Sequence, residues 1–191
     1  MKVGLFFGSF NPVHIGHLII ANIMAETTDL DKVWMVVSPQ NPLKPSKGLL
    51  HEFDRYDMVR AAVYDHYKIE ASDIEFHLPK PSYTIHTLVH LSERHPDKHF
   101  RVIVGEDNLV NFPKWKNYER ILEDYGLYVY PRPDAQPSPL IEHPNVRLVE
   151  APLLDISATF IRNCVKKRQS IRYMVPDIVD EMIRAKGFFL R

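Results

Sequence analysis

The chain has 191 residues, 45% of them hydrophobic and 25% charged, with Lys plus Arg and Asp plus Glu equal at 24 each. A chain of this size typically buries roughly 70% of its unfolded surface and needs no disulfide staples, and a net charge of zero asks for neither a nucleic acid nor a membrane partner, so an anionic ligand must be met by a local site. The single cysteine, Cys164, excludes an internal disulfide and points to a reducing, cytoplasmic compartment; the apolar start is too short for a secretory leader, and no stretch approaches the ~20 apolar residues of a membrane span.

In chain order, residues 2–7 are a short apolar run, the pattern of a buried strand, ending at Gly8. Residues 15–25 have helical spacing, and 33–37 are a second buried strand stopped by Ser38-Pro39. Residues 38–50 carry three prolines, one glycine and two lysines and read as a loop. A helix is expected over 53–63, with the Asp54-Arg55 and Asp57-Arg60 charges outside. Residues 69–76 read as extended but broken, 82–94 as a helix, 99–104 as a third clear strand. A helix over 115–123 and a strand over 126–130 follow. Residues 131–152 hold six prolines, which suggests an irregular crossing with one short strand at 146–148. Two helices, at about 157–167 and 176–186, close the chain.

Strands alternating with helices predict an α/β fold of Rossmann-like, doubly wound type, a parallel sheet with helices on both faces. No repeat or composition shift marks a boundary, so one domain over 1–191 is expected, helical from about 153. Ligands of such sheets bind outside the carboxyl ends of the strands. Residues 8–17, 38–46 and 105–115 all fall there.

The stretch Gly8-Ser9-Phe10-Asn11-Pro12-Val13-His14-Ile15-Gly16-His17 leads from a strand into a helix. His14 and His17 are three apart, so both imidazoles can share one helix face. Gly16 between them leaves room for close approach to the backbone. Free amides and the positive dipole end of the helix favour an anion, and two imidazole donors beside them would make a phosphate cradle. A structural loop with two incidental histidines is the competing reading. A zinc site lacks a third clustered ligand, and the stretch has neither the Gly-Lys-Ser/Thr of a Walker loop nor the Gly-x-Gly-x-x-Gly dinucleotide fingerprint.

The stretch resembles the His-x-Gly-His signature of the nucleotidyltransferase superfamily. Ile156-Ser157-Ala158-Thr159-Phe160-Ile161-Arg162 resembles that superfamily's second signature, Ile-Ser-Ser-Thr-x-Ile-Arg, roughly 140 residues later and in the expected order. Further stretches are similar to the bacterial nicotinate mononucleotide adenylyltransferases: Pro81-Ser82-Tyr83-Thr84, Gly105-Glu106-Asp107-Asn108-Leu109, Phe112-Pro113-Lys114-Trp115 and Arg132-Pro133. The sequence departs from the pattern at Asn11, where Asp is usual, and at Ala158, where Ser is. Asn11 keeps a capping side chain; the loss at 158 removes one hydroxyl.

The resemblance implies transfer of the AMP part of ATP to nicotinate mononucleotide, giving deamido-NAD and pyrophosphate. It implies that His14 and His17 hold the α- and β-phosphates, with Gly8, Ser9 and Phe10 contributing backbone. Ile156, Ser157 and Thr159 would present a second helix start to the outer phosphates, and Arg162 would neutralise the departing pyrophosphate. Gly105 and Asp107 would take the ribose end of ATP, although Asp107 also reads as a helix N-cap. Tyr83, Thr84 and Trp115 would hold the pyridine ring and its carboxylate. Asn41, Lys44 and Arg132 are candidates for the mononucleotide phosphate. Mg²⁺ would come with ATP and need few protein ligands, so no metal-ligating residue is assigned. A homo-oligomer is compatible with the sequence. Two other readings stay open: the same superfamily with phosphopantetheine as acceptor, and a nucleotide-binding module without activity.

Overall fold

The computed structural model describes residues 1–40 and 48–190. Among them, six parallel strands form one sheet: β1 (Lys2–Gly8), β2 (Lys32–Val37), β3 (Ile69–Ser72), β4 (His99–Gly105), β5 (Leu127–Tyr130) and β6 (Val146–Leu148), in the order β3-β2-β1-β4-β5-β6. The order reverses direction between β1 and β4, which is where a doubly wound sheet opens a crevice at its carboxyl edge. Gly8 pairs with Val37, and Gly105 with Tyr130, so all four residues mark that edge.

Alternation along the strands sends side chains to two separate cores, because successive residues face opposite sides of a sheet. Phe6, Met35, Ile103 and Tyr128 join one, packed by α1 (Ile15–Thr27), α2 (Glu52–Ala62), α5 (Ala158–Lys166) and α6 (Asp177–Lys186). Leu5, Val36, Val104 and Val129 join the other, covered by α3 (Thr84–Arg94) and by Ile121 and Leu122. Both faces of the strands are therefore apolar, which is why they read as continuous hydrophobic runs. Cys164 is buried in α5 with no sulfur partner among the described residues.

Two expectations are corrected. Residues 115–123 are not one helix. A 3-10 turn (Phe112–Lys114) ends at Trp115, and Asn117 takes a left-handed φ of 52°. Only then does α4 (Tyr118–Arg120) begin, widening into a π-turn (Ile121–Tyr125). Tyr118, Ile121 and Leu122 keep the helical spacing that suggested a longer helix. The second correction concerns Arg55, which is 0% exposed rather than outside. The extended reading of 69–76 also narrows: β3 stops at Ser72, and Ile74–His77 is a 3-10 turn.

Candidate active site

At the end of β1 the chain turns sharply. Phe10 adopts a left-handed φ of 45°, and the Asn11-Pro12 bond is cis. That turn folds the buried Phe10 ring back over Gly8, where a Cβ would lie 2.7 Å from Cζ of the ring, so only glycine fits. Asn11 does not cap a helix. Its Nδ2 donates to the Gly48 carbonyl at 3.0 Å and its Oδ1 accepts from the Leu50 amide at 3.2 Å, anchoring the chain that returns before α2. The N-cap of α1 is His14, in extended conformation.

The two imidazoles lie together, as their spacing implied. Their rings stack with centroids 3.6 Å apart. The His14 amide donates to Nδ1 of His17 at 3.2 Å, which puts the His17 proton on Nε2 and makes that nitrogen a donor. Phe10 meets the His17 ring edge-on at 5.0 Å, and Phe6 bridges Phe10 and Tyr130 at 5.8 and 5.9 Å. This aromatic floor desolvates the site. Burial, helped by the Arg132 guanidinium, pulls the His14 imidazole down to about 4, and burial pushes the Tyr130 phenol up to about 12. His14 is therefore neutral at pH 7. The first turn of α1 contains no acidic side chain to compete for an anion.

The second segment meets the first directly. Ile156 presses on Gly16, where a Cβ would stand 2.5 Å from its Cγ2 and 3.1 Å from the His14 ring. Ser157 is the N-cap of α5 and its hydroxyl accepts from the Phe160 amide at 3.2 Å; the first turn of α5 also lacks acidic residues. Arg162 donates to the Asn11 carbonyl at 2.8 Å and to the Thr159 hydroxyl at 3.1 Å. Two helix N-termini, two imidazoles and a guanidinium thus converge on one place, a setting that suits a polyanion.

Across the crevice, Gly105 ends β4 and is itself the N-cap of the turn Glu106–Asn108, so Asp107 is not a cap. A Cβ on Gly105 would stand 2.4 Å from Asp107 Oδ1 and 3.0 Å from Arg132 Cγ. Arg132 Nε lies 3.8 Å from Asp107 Oδ1, and its Nη1 donates to the Leu154 carbonyl at 3.4 Å. Tyr83 is the N-cap of α3 without a side-chain cap, and Thr84 is its first residue. Lys116 Nζ stands over the Tyr83 ring at 4.9 Å, and Trp115 packs on Phe112 at 5.0 Å.

All of these surround one cleft of about 1140 Å³. It brings together Gly8, Ser9, Phe10, His14 and His17; Gly105 and Asp107; Tyr83, Thr84, Trp115 and Arg132; and Ile156, Ser157, Thr159 and Arg162. Asn41 and Lys44 lie outside the described residues. The sequence reading missed Asn108, Asn111 and Lys116 on the Trp115 side, and buried Glu75, whose Oε1 accepts from the Thr87 hydroxyl at 2.9 Å. Burial pushes the Glu75 carboxyl upward. A glutamate in a short 3-10 turn after a strand carries no local sign of burial. Arg55, missed for the same reason, holds the turn from beneath.

The sequence matches the cytidylyltransferase-like family over residues 5–164. It is 63% identical to a Cytophaga hutchinsonii protein named "Probable nicotinate-nucleotide adenylyltransferase", across 99% of this chain and 98% of that one. A protein of the same name from Flavobacterium johnsoniae is 51% identical, with 99% of each chain covered. The fold superposes on Plasmodium falciparum nicotinic acid mononucleotide adenylyltransferase, solved as a complex with NaAD, with a TM-score of 0.84 at 19% identity, covering 98% of this chain and 97% of that one. With its two signature segments joined at the sheet's switch point and such relatives along its whole length, the chain belongs to the nicotinate-nucleotide adenylyltransferase family, among the cytidylyltransferase-like proteins.

Proposed function

We propose that the cleft joins nicotinate mononucleotide to the AMP part of ATP, releasing deamido-NAD and pyrophosphate in NAD biosynthesis. The observation that carries this reading is the contact of the two segments: Ile156 on Gly16 and Arg162 on the Asn11 carbonyl. It supports one anion site built from two segments far apart in the sequence. His14 and His17, with the backbone of 8–10, take the α- and β-phosphates. Ile156, Ser157 and Thr159 present the second helix start, and Arg162 takes the outer phosphates. Gly105 and Asp107 receive the ribose end. The acceptor lies toward Tyr83, Thr84 and Trp115, with Arg132 and, in the undescribed segment, Asn41 and Lys44 for its phosphate. Lys114 and Lys116 flank Trp115 on this side of the cleft, which favours an anionic ring substituent over an amide.

The acceptor phosphate is already an anion, so its attack on the α-phosphorus needs no strong base. Positioning in line and stabilising charge on the phosphoryl oxygens do most of the work. His17 Nε2–H is a donor at the cleft wall; neutral His14 can donate or take up a proton as negative charge approaches. Among the described residues no three His, Cys, Asp or Glu side chains are grouped to hold a metal, and Asp107 is a half-exposed carboxylate. With those donors Mg²⁺ would enter on the phosphates and would neutralise part of their charge there. No helix among the described residues is long and apolar enough to cross a membrane. A reducing cytoplasm fits the one buried thiol, and a single domain fits one sheet that carries a core on each face.

Purified protein mixed with ATP, Mg²⁺ and nicotinate mononucleotide should release pyrophosphate. The His17→Ala variant should lose at least a hundredfold in kcat while its circular-dichroism spectrum and melting curve stay those of a folded chain. No product with either pyridine mononucleotide would overturn the reading. Faster turnover with phosphopantetheine would move the chain to a different acceptor, and comparing specificity constants for the nicotinate and nicotinamide forms reads the effect of Lys114 and Lys116.

A further inference from the structure

Arg55 is a buried cation with no carboxylate in hydrogen-bond or ion-pair contact among the described residues; Glu52, one turn back on α2, attracts it only from a distance. Its fork is spent on backbone carbonyls from three separate segments. Nη1 donates to Ser9 at 2.6 Å and to Ser38 at 2.8 Å, Nη2 to Pro39 at 3.2 Å, and Nε to Leu50 at 2.9 Å. Ser9 belongs to the turn after β1, Ser38 and Pro39 to the exit of β2, and Leu50 to the entrance of α2. The connection continues outward, because the Gln40 carbonyl accepts from the Ser82 amide at 3.3 Å and Ser82 precedes Tyr83, the N-cap of α3. Five of the residues along this path, Ser9, Ser38, Gln40, Ser82 and Tyr83, line the cleft. One guanidinium therefore links the ATP side of the cleft to its acceptor side through backbone alone.

Burying a cation with only carbonyls in hydrogen-bond contact is a costly arrangement. Burial pulls the Arg55 guanidinium down to about 10, and it remains charged at neutral pH. Packing alone would be served by a Met or Leu at this helix position. Phosphoryl transfer, by contrast, depends on holding two substrates within a few tenths of an ångström of an in-line path, and a misplacement of about 1 Å costs about a hundredfold.

We propose that Arg55 is a positioning residue that fixes the distance between the ATP and acceptor halves of the site. It touches neither substrate. This rests on the adenylyltransferase reading above. The turn at 8–17 keeps its other anchors, Arg162 on the Asn11 carbonyl and Ile156 on Gly16, when Arg55 is changed. ATP binding should therefore survive while turnover does not. Lysine retains the charge, but its three donors share one nitrogen and cannot reach the three segments that Nε, Nη1 and Nη2 of the guanidinium reach.

The test measures ATP affinity and stoichiometry by calorimetry on wild type, Arg55→Lys and Arg55→Met, then kcat with nicotinate mononucleotide per ATP-binding site. The expected result is ATP affinity within about threefold of wild type and kcat lower by about a hundredfold for Met and at least tenfold for Lys. Counting per ATP-binding site removes any loss caused by misfolded protein. Normal kcat per site in either variant would overturn the proposal. So would parallel loss of ATP affinity, which would tie Arg55 to the ATP turn alone, and failure of even the lysine variant to fold would assign the residue to stability alone. An inactive wild type would instead defeat the adenylyltransferase reading itself.

Discussion

At the scale of single residues, the site is held by small side chains pressed against large ones. Gly16 has Ile156 above it and the His14 ring beside it. Gly16→Ala should push Ile156 and the imidazole apart and lower kcat by about a hundredfold. Because the nearest atom belongs to a side chain, Gly16→Ala combined with Ile156→Ala should recover part of that loss; steady-state kinetics of the four proteins read the coupling. His14 makes a different prediction. Its folded value of about 4 lies below the ordinary 6.5. Above pH 6.5 the imidazole is neutral in both folded and unfolded chains, and stability does not depend on it. As pH falls from 6.5 to 4 the unfolded chain takes up the proton first, so stability is lost across that window, by about 3 kcal/mol. Urea unfolding of wild type and His14→Gln at pH 7 and pH 4.5 should show a steeper acid loss in wild type. At this scale sequence was least informative about Arg55 and Glu75. Arg55 lies between Asp54 and Asp57 on α2, and Glu75 is a lone carboxylate between Ile74 and Phe76 in a 3-10 turn. What buries them is backbone and side chain from distant segments. No local pattern encodes that.

At the scale of elements, most of the architecture was legible because both faces of the sheet are covered. A strand buried on both sides is an uninterrupted apolar run, and β1, β2, β4 and β5 each lie within a residue or two of the expected ends. Residues 115–123 were not legible. Apolar spacing at 118, 121 and 122 fits a helix, but spacing cannot register that Asn117 is left-handed and that the chain enters through a 3-10 turn. Trp115 is consequently delivered at the end of a turn instead of within a helix, on the wall of the cleft. The start of α5 was readable because Ser157 is a strong capping type. Its hydroxyl accepts the Phe160 amide, so Ser157→Ala should lower stability by about 1 kcal/mol in chemical denaturation. A larger loss in ATP affinity than in stability would mark the hydroxyl as a phosphate contact as well as a cap.

At the scale of the whole molecule, the cleft lies where the strand order reverses, between β1 and β4, and gathers loops from the carboxyl edge of both halves. The two signature segments could be recognised as partners from their order along the chain. Their physical contact, and the carbonyl that Arg162 takes, could not, since nothing in either segment specifies the other's distance. That contact spans 151 positions of sequence. Proteins are made from the amino end, and contacts of such long separation form late. A ribosome-bound chain that has exposed β1 through β6 but not α5 holds the histidine pair without the guanidinium that pins its turn, so nucleotide should bind weakly until the last helices emerge. ATP present during synthesis would then act on the final folding step alone, drawing the carboxyl-terminal helices onto a sheet already assembled. Stalled nascent chains carrying a carboxyl-terminal spacer that does or does not bring Arg162 clear of the ribosome should differ sharply in ATP protection from protease.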